Sequence, residues 1–169
     1  MKITKKLCFL FLALSTSLSI AQDKAKLDDS SYYDFWEGDW YQVVDGVVRD
    51  KPRFIVRRGM YASAFEESWQ MEGYKAKAWR AWDTRTQQWD FAWVAEIGLF
   101  QIWEGRKVDG HWYIYRTFVI DGEEVLSRQA FIPMDENTVI RTSEHSRDDG
   151  TTWILRFEET YKRLSHDSP

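Results

Sequence analysis

The chain has 169 residues, of which 44% are hydrophobic and 17% aromatic, and this predicts one domain with a substantial core. Its formal net charge of −4 argues against nucleic acid or an anionic membrane as the partner. The single cysteine, Cys8, lies close to the N-terminus, so the domain is expected to lack disulfides, cysteine-ligated metals and a cysteine nucleophile.

Residues 1–21 have the pattern of a secretory signal peptide. A basic start precedes an apolar run at 7–14, and Ala21 closes a stretch of small residues. The apolar run is well short of the ~20 residues that a membrane span needs, so no span is expected. The sequence therefore predicts a secreted or periplasmic protein. Residues 22–34 are polar without periodicity and are interpreted as a loose leader or one short helical turn.

Residues 35–165 alternate apolar and polar side chains in short runs, which is typical of β-strands. Asp-Gly pairs, which favour tight hairpin turns, occur at residues 45–46, 109–110, 121–122 and 149–150. The pattern predicts ten strands, at 40–48, 52–58, 60–70, 74–82, 88–96, 99–105, 111–120, 124–133, 137–146 and 152–163. Because only closure removes every strand edge, we expect an all-β domain forming a single up-and-down antiparallel barrel.

The last predicted strand indicates how the barrel closes. Six of its residues share one face that is expected to point inward: Trp153, Leu155, Phe157, Glu159, Tyr161 and Arg163. The guanidinium of Arg163 cannot lie in a core without a partner. We expect it to stack on Trp40 and to donate to a nearby carbonyl, which would join the first strand to the last.

Two motifs resemble a known family. Gly38-Asp39-Trp40 and Thr160-Tyr161-Lys162-Arg163 resemble the Gly-x-Trp and terminal arginine signature of the calycin, or lipocalin-like, barrels. The chain is similar to small secreted bacterial lipocalin-like proteins, most of which have no assigned function. Further matching segments are 35–40, 81–93, 128–133 and 146–163. The resemblance covers nearly all of the mature chain and implies a lipocalin-like barrel.

The residues expected inside the barrel are not those of a simple fatty-acid carrier, whose wall would be mostly aliphatic. The strand faces mix indole, phenol, guanidinium and imidazole groups: Arg80 and Trp82, Trp89 and Trp93, Tyr113 and Tyr115, Arg141 and His145. Aromatic rings suit the C–H faces of sugars, and arginine suits a carboxylate. Such a cavity favours an acidic oligosaccharide as the ligand. Tyr115 and Arg116 alternate, so only one of them can face the interior.

These side chains are sufficient for β-elimination on a uronic acid. Tyrosine and histidine move the protons, and arginine holds the carboxylate. Tyr115 and His145 are predicted as the catalytic residues. The predicted substrate-binding residues are Arg80, Arg128, Arg141, Trp93 and Tyr113. The three histidines lack metal-ligand spacing, and we expect no metal and no cofactor.

Two functional hypotheses therefore remain open. In export, size and aromatic content the chain resembles the small oligosaccharide dehydratases with which marine flavobacteria process ulvan-type uronates, and this implies a carbon–oxygen lyase. The alternative is a non-catalytic binding protein for a small amphipathic or hydrophobic ligand. The oligomeric state is open as well.

Overall fold

The protein is an antiparallel β-barrel, seen in a computed structural model that describes residues 29–164. Ten strands form the closed barrel, and a short additional strand, β2, extends its first hairpin. The strands are β1 Gly38–Val44, β2 Val47–Val48, β3 Phe54–Arg58, β4 Ala64–Gln70, β5 Lys75–Asp83, β6 Gln88–Ala95, β7 Leu99–Val108, β8 His111–Ile120, β9 Glu123–Asp135, β10 Thr138–Ser146 and β11 Ile154–Arg163. Successive barrel strands pair with each other, and β11 pairs with β1. The predicted all-β up-and-down barrel is confirmed.

Asp-Gly turns reverse the chain where the sequence predicted them. In all four pairs both residues have positive φ, for example 51° at Asp45 and 77° at Gly46. Positive φ at both central residues is the type I′ geometry, which matches the twist of a hairpin. The prediction of one continuous strand at 40–48 is wrong, because the chain turns back at Asp45-Gly46 and forms β2 against the end of β1.

The segment before β1 closes one end of the barrel. It forms two single turns of 3₁₀ helix, Asp29–Ser31 and Asp34–Trp36, and no helix of the described range is long and apolar enough to cross a membrane. Tyr33 and Trp36 are 0% exposed. Of the two expectations for 22–34, a loose leader or one short helical turn, the described part from Asp29 onward has short helical turns, and its rings insert into the core. The predicted signal peptide and residues 22–28 lie outside the described residues.

Arg163 joins the first and last strands as predicted. Its guanidinium lies 5.3 Å from the centre of a Trp40 ring, and its Nη1 donates to the carbonyls of Phe35 and Glu37 at 3.1 and 2.6 Å. Gly38 makes this approach possible: a Cβ there would lie 2.4 Å from Cδ of Arg163, and its φ of 148° disfavours other residues. The motif residues of the resemblance thus have a direct structural role.

Only part of the face of the last strand that was predicted to point inward does so. A β-bulge on β11 interrupts its register with β10: Ser143 pairs with Phe157, whereas Glu144 pairs with Leu155. A bulge shifts the alternation by one residue. Phe157 and Tyr161 point inward, but Leu155 is 56% exposed and Trp153 lies outside the barrel, where it stacks on other outer-face side chains.

Candidate functional site

The barrel interior has two ends with different contents. The floor is the end at which β1 begins, where the aromatic side chains of the segment before β1 fill the interior. The mouth is the opposite end, framed by the turns after β4, β6 and β8. A cavity of about 400 Å³ lies toward the mouth, within the size range of small-molecule sites. It is the candidate functional site.

A buried ion pair occupies the interior near the floor. Arg80 Nε donates to Oε1 of Glu67 at 3.0 Å, and the two side chains are 1% and 0% exposed. The same carboxylate accepts hydrogen bonds from the indoles of Trp36 at 2.8 Å and Trp69 at 2.9 Å. Two charges are therefore neutralised inside the aromatic core, as the burial of an ion pair requires.

The guanidinium of Arg80 is also enclosed by rings. Its carbon lies 4.6 Å from the ring centre of Tyr33, 4.9 Å from that of Phe91 and 5.1 Å from that of Phe131. Burial alone would lower the pKa of Arg80, but Tyr33 and Glu67 outweigh it and raise the pKa, so Arg80 stays charged. Burial raises the pKa of Tyr33, which stays a neutral phenol and accepts from Arg80 at 3.2 Å.

The cavity wall is mainly aromatic. Its rings include Trp69, Phe91, Trp93, Trp103, Phe118 and Phe131. Its polar side chains are Tyr74, Gln101, Gln129, Arg141 and Arg156. No carboxylate is among the described residues that line it. Both ionisable cations of the lining are arginines, so the cavity offers rings for an apolar body and positive charge for an anion.

Arg141 is held in place at this cavity. Its Nε and Nη2 donate to Oε1 of Gln129 at 3.3 and 2.8 Å, and its Nη1 donates to Oε2 of Glu159 at 3.0 Å. Its guanidinium carbon lies 5.3 Å from a Trp69 ring centre and 4.9 Å from that of Phe157. These contacts orient a side chain that is 15% exposed.

Glu159 supports Arg141 without lining the cavity. Its Oε1 accepts from Gln42 at 3.2 Å, and its Oε2 accepts from Tyr161 at 2.6 Å in addition to Arg141. Burial raises the pKa of Tyr161 above its ordinary range, with Arg141 opposing the shift, so the phenol remains a hydrogen-bond donor. Three donors thus hold this carboxylate, which is paired with Arg141 behind the cavity lining.

Two of the predicted substrate-binding residues, Trp93 and Arg141, line the cavity. Arg80 shares the inner face but lies below it, where its ion pair with Glu67 uses the charge structurally. Arg80 is therefore not among the residues that line the cavity, and its contact with a substrate carboxylate stays a prediction.

Tyr113, Tyr115 and Arg128 lie on the outer face instead. Trp112 and Ile114 of β8 belong to the core, so the alternating tyrosines point outward. Arg128 stacks on Tyr113 at 4.7 Å and on an indole of the turn before β11 at 4.0 Å, and it pairs with Glu144 at 2.6 Å. Burial raises the pKa of Tyr113 although Arg128 lowers it, which makes this phenol a poorer base at neutral pH.

His145 is on the inner face, so it is separated from Tyr115 by the barrel wall. It alternates with the inward Arg141 and Ser143 on β10, and its register partner on β9 is the buried Ser127. Its Nδ1 is buried without a hydrogen-bond partner in the described part of the chain. The structure does not bring the predicted catalytic pair, Tyr115 and His145, together in one cavity.

Several residues that line the cavity were not predicted from the sequence. Gln129 and Phe131 are two residues apart on β9 and therefore share a face. Once Phe131 is assigned to the inner face, the alternation predicts that Gln129 lies there too. Tyr74 lies just before β5, and Gln101 lies on β7, whose two faces both mix apolar and polar residues. Arg156 reaches the cavity from the bulge of β11, and a bulge leaves no pattern in a single sequence.

Comparison with known proteins does not name a function. No protein-family model matches the chain, and no curated protein matches it either. Within residues 29–164 no group of three or more histidine, aspartate or glutamate side chains is placed to hold a metal ion.

Proposed function

We propose that the protein binds a small amphipathic anion in the barrel cavity, with its acidic group at Arg141 and its apolar body against the aromatic wall. The observation that carries this proposal is the charge of the lining. Two arginines and no carboxylate face the cavity, although the whole chain carries a formal net charge of −4.

Arg141 has donors left for a ligand. A guanidinium offers five N–H groups, and three hydrogen bonds to Gln129 and Glu159 use one on each nitrogen. Each terminal nitrogen therefore keeps one N–H that can donate to a ligand carboxylate. Arg156 at the cavity rim adds positive charge, which offsets the partial neutralisation of Arg141 by Glu159.

The aromatic wall of the cavity determines which apolar body the ligand carries beside its acidic group. Trp93, Trp103 and Phe118 stand on three neighbouring strands around the cavity, and Trp103 contacts Phe118 edge to face at 5.5 Å. Such a wall favours an aromatic or short aliphatic body and excludes water from around it. A fully polar ligand would leave these rings without a partner.

The proposal predicts a preference for carboxylates over neutral isosteres. We expect 4-phenylbutanoate to bind at least about tenfold more tightly than 4-phenylbutanamide, a difference of about 1.4 kcal/mol. Quenching of tryptophan fluorescence reports the titration because indoles line the cavity, and calorimetry provides an independent measurement. Equal affinity for the acid and the amide would contradict the role of the arginines.

Variants of the two cavity arginines identify which charge produces the preference for the acid over the amide. Arg156→Gln, at an exposed position, should reduce the preference for the acid while leaving amide binding unchanged. Arg57→Gln is the matched control, since Arg57 lies on the outer face and is paired with Asp39 at 2.6 Å. Arg141→Gln should abolish acid binding, and circular dichroism is needed to show that the barrel remains folded.

Elimination on a uronate is the second candidate, because a uronate is also an anion with faces that stack on rings. Tyr74 is the phenol that lines the same cavity as Arg141. On incubation with uronate oligosaccharides we expect an absorbance of the unsaturated product that is lost in Tyr74→Phe and kept in Tyr115→Phe. The reverse pattern would favour the residues predicted from sequence, and no absorbance would leave binding as the function.

A further inference from the structure

A polar pocket lies on the outer face of the barrel between β7 and β8, and we propose that it binds the oxyanion group of a small polar ligand. The pocket has a volume of about 390 Å³, and its lining includes Ile102, Glu104 and Arg106 of β7 and Tyr115, Arg116 and Thr117 of β8. None of these six residues lines the interior cavity. The proposal is therefore independent of the ligand proposed there.

The pocket forms where the pairing of β7 with β8 stops. The register of the two strands ends at Glu104 and Tyr115, and no pairing joins residues 99–103 to residues 116–120 within the described chain. In these stretches β7 pairs with β6, and β8 pairs with β9. A gap in the sheet therefore opens between β7 and β8, and a side chain of either strand can enter it.

Arg116 reaches into this gap. On β8 it alternates with Ile114 and Phe118, which line the interior cavity, and its register partner on β9 is the buried Ser127. Its position along the strand is therefore that of an inward residue. The residue nevertheless lines the outer pocket, and its Nη1 donates to the carbonyl of Ile102 on β7 at 2.9 Å. The side chain thus lies between the two strands instead of pointing into the cavity.

The guanidinium of Arg116 has no counterion among residues 29–164, where no ion pair involves it. Its Nε is buried without a hydrogen-bond partner in the same range, and its Nη1 donates to a neutral carbonyl. A partly buried charge is stabilised by an opposite charge and by hydrogen bonds to its donors. An oxyanion supplies both, and its geometry matches that of a guanidinium.

Arg106 brings a second cation to the pocket. Its guanidinium carbon lies 4.7 Å from the ring centre of Tyr115, which also lines the pocket. Its ion pair with Glu104 is long, 3.7 Å, and the two side chains are 56% and 71% exposed. Exposed pairs of this kind contribute little, so Arg106 is able to turn toward an anion. The lining therefore offers two guanidiniums against one carboxylate.

The size and polarity of the pocket indicate what carries the anion. Its volume lies in the range of small-molecule sites and exceeds that of a free phosphate or sulfate ion. Thr117 and Glu104 are exposed and offer a hydroxyl and a carboxylate for hydrogen bonds to neutral polar groups. We therefore expect the oxyanion to be a substituent on a hydroxyl-bearing body, as in a sugar phosphate or sugar sulfate.

Titration of the isotope-labelled protein with glucose 6-phosphate, followed by NMR at constant ionic strength, tests the site. We expect saturable shifts of the amide signals of Ile102 and Thr117, with weaker binding of inorganic phosphate. Arg116→Gln should weaken the binding of glucose 6-phosphate at least about tenfold, because it removes the charge and most of its donors. Arg147→Gln is the matched control, since Arg147 is an exposed arginine that pairs with Glu123 outside the pocket, and it should leave the affinity unchanged.

Two variants of exposed residues test the site without burdening the fold. Arg106→Gln should weaken the binding of glucose 6-phosphate about threefold, and Glu104→Gln should strengthen it by a similar factor, because it removes a like charge. A purely structural role of these residues would not produce opposite changes in affinity. Unchanged affinity in both Arg116→Gln and Arg106→Gln, or the absence of saturable shifts in the wild type, would overturn the proposal. Tighter binding of inorganic phosphate than of glucose 6-phosphate would overturn the assignment of a larger ligand.

Arg156→Gln distinguishes this pocket from the interior cavity. It removes an arginine that lines the cavity and should leave the binding of glucose 6-phosphate unchanged. Binding that is lost in Arg156→Gln and kept in Arg116→Gln would place the anion in the cavity. That result would overturn the outer site while supporting the anion proposed for the cavity.

Discussion

Replacing Glu67 by glutamine should destabilise the barrel by about 3–5 kcal/mol, because it leaves the buried charge of Arg80 without its counterion. The glutamine has the volume of glutamate, so the loss is electrostatic and does not come from a cavity. Both side chains of the pair are at most 1% exposed, and the solvent cannot compensate. The measurement is the midpoint of urea unfolding at constant slope.

The adjacent residue provides the control. Glu66 lies on the outer face, where it pairs with Lys77 at 2.5 Å and is 44% exposed. Exposed pairs contribute about 0–1 kcal/mol, so Glu66→Gln should have little effect. The two substitutions are chemically identical and neighbouring, and only the burial differs.

A double variant distinguishes the ion pair from the other contacts of Glu67. Glu67→Gln with Arg80→Met removes both charges and keeps one amide oxygen, which can accept from one of the two indoles that now donate to different oxygens of Glu67. Apolar replacements of buried ion pairs are often neutral or stabilising, so we expect the double variant to be more stable than Glu67→Gln alone. A double variant that loses the sum of both single effects would contradict this account.

The ion pair of Arg80 and Glu67 affects the net charge that the cavity above it offers to a ligand. Arg80 and Glu67 neutralise each other near the floor, and Arg141 is paired with Glu159, so Arg156 is the arginine of the cavity lining that has no ion pair among residues 29–164. The protein thus uses one inward arginine for the core and another for the candidate site. The sequence treats the two alike, since each alternates with apolar residues on its strand.

The strands and their order were predictable because period-two alternation and Asp-Gly turns are local signals. The same signals identify the faces of a strand only when one face is clearly polar. On β8 both faces are aromatic: Trp112 and Ile114 pack in the core, whereas Tyr113 and Tyr115 pack outside against Arg128 and other side chains. The choice between the faces depends on partners distant in sequence.

Other parts of the site depend on structural features that the alternation of apolar and polar residues does not predict. The bulge of β11 turns Arg156 toward the cavity and Trp153 away from it. The segment before β1 was interpreted as polar, yet Tyr33 enters the core, where Arg80 offers its phenol a partner at 3.2 Å. Each of these outcomes follows from pairing with a residue elsewhere in the fold.

Truncation of Trp40 to alanine should cost about 3–5 kcal/mol, as expected for a large-to-small change in a core. Its indole is 0% exposed, stacks on Trp36 at 5.6 Å between ring centres and donates to the Trp36 carbonyl at 2.9 Å. The ring also supports the guanidinium of Arg163. Its removal therefore weakens packing and barrel closure together.

Trp153→Ala is the comparison, since this indole lies half-buried on the outer face and its loss leaves space that water can fill. We expect a clearly smaller decrease in the free energy of unfolding for it. A further variant, Trp40→Phe, keeps a ring for Arg163 but removes the indole N–H, so its cost should lie between wild type and Trp40→Ala. An unchanged melting temperature in Trp40→Ala would show that β1 and β11 stay joined without this ring, and the closure would then rest on the hydrogen bonds of Arg163 to the Phe35 and Glu37 carbonyls.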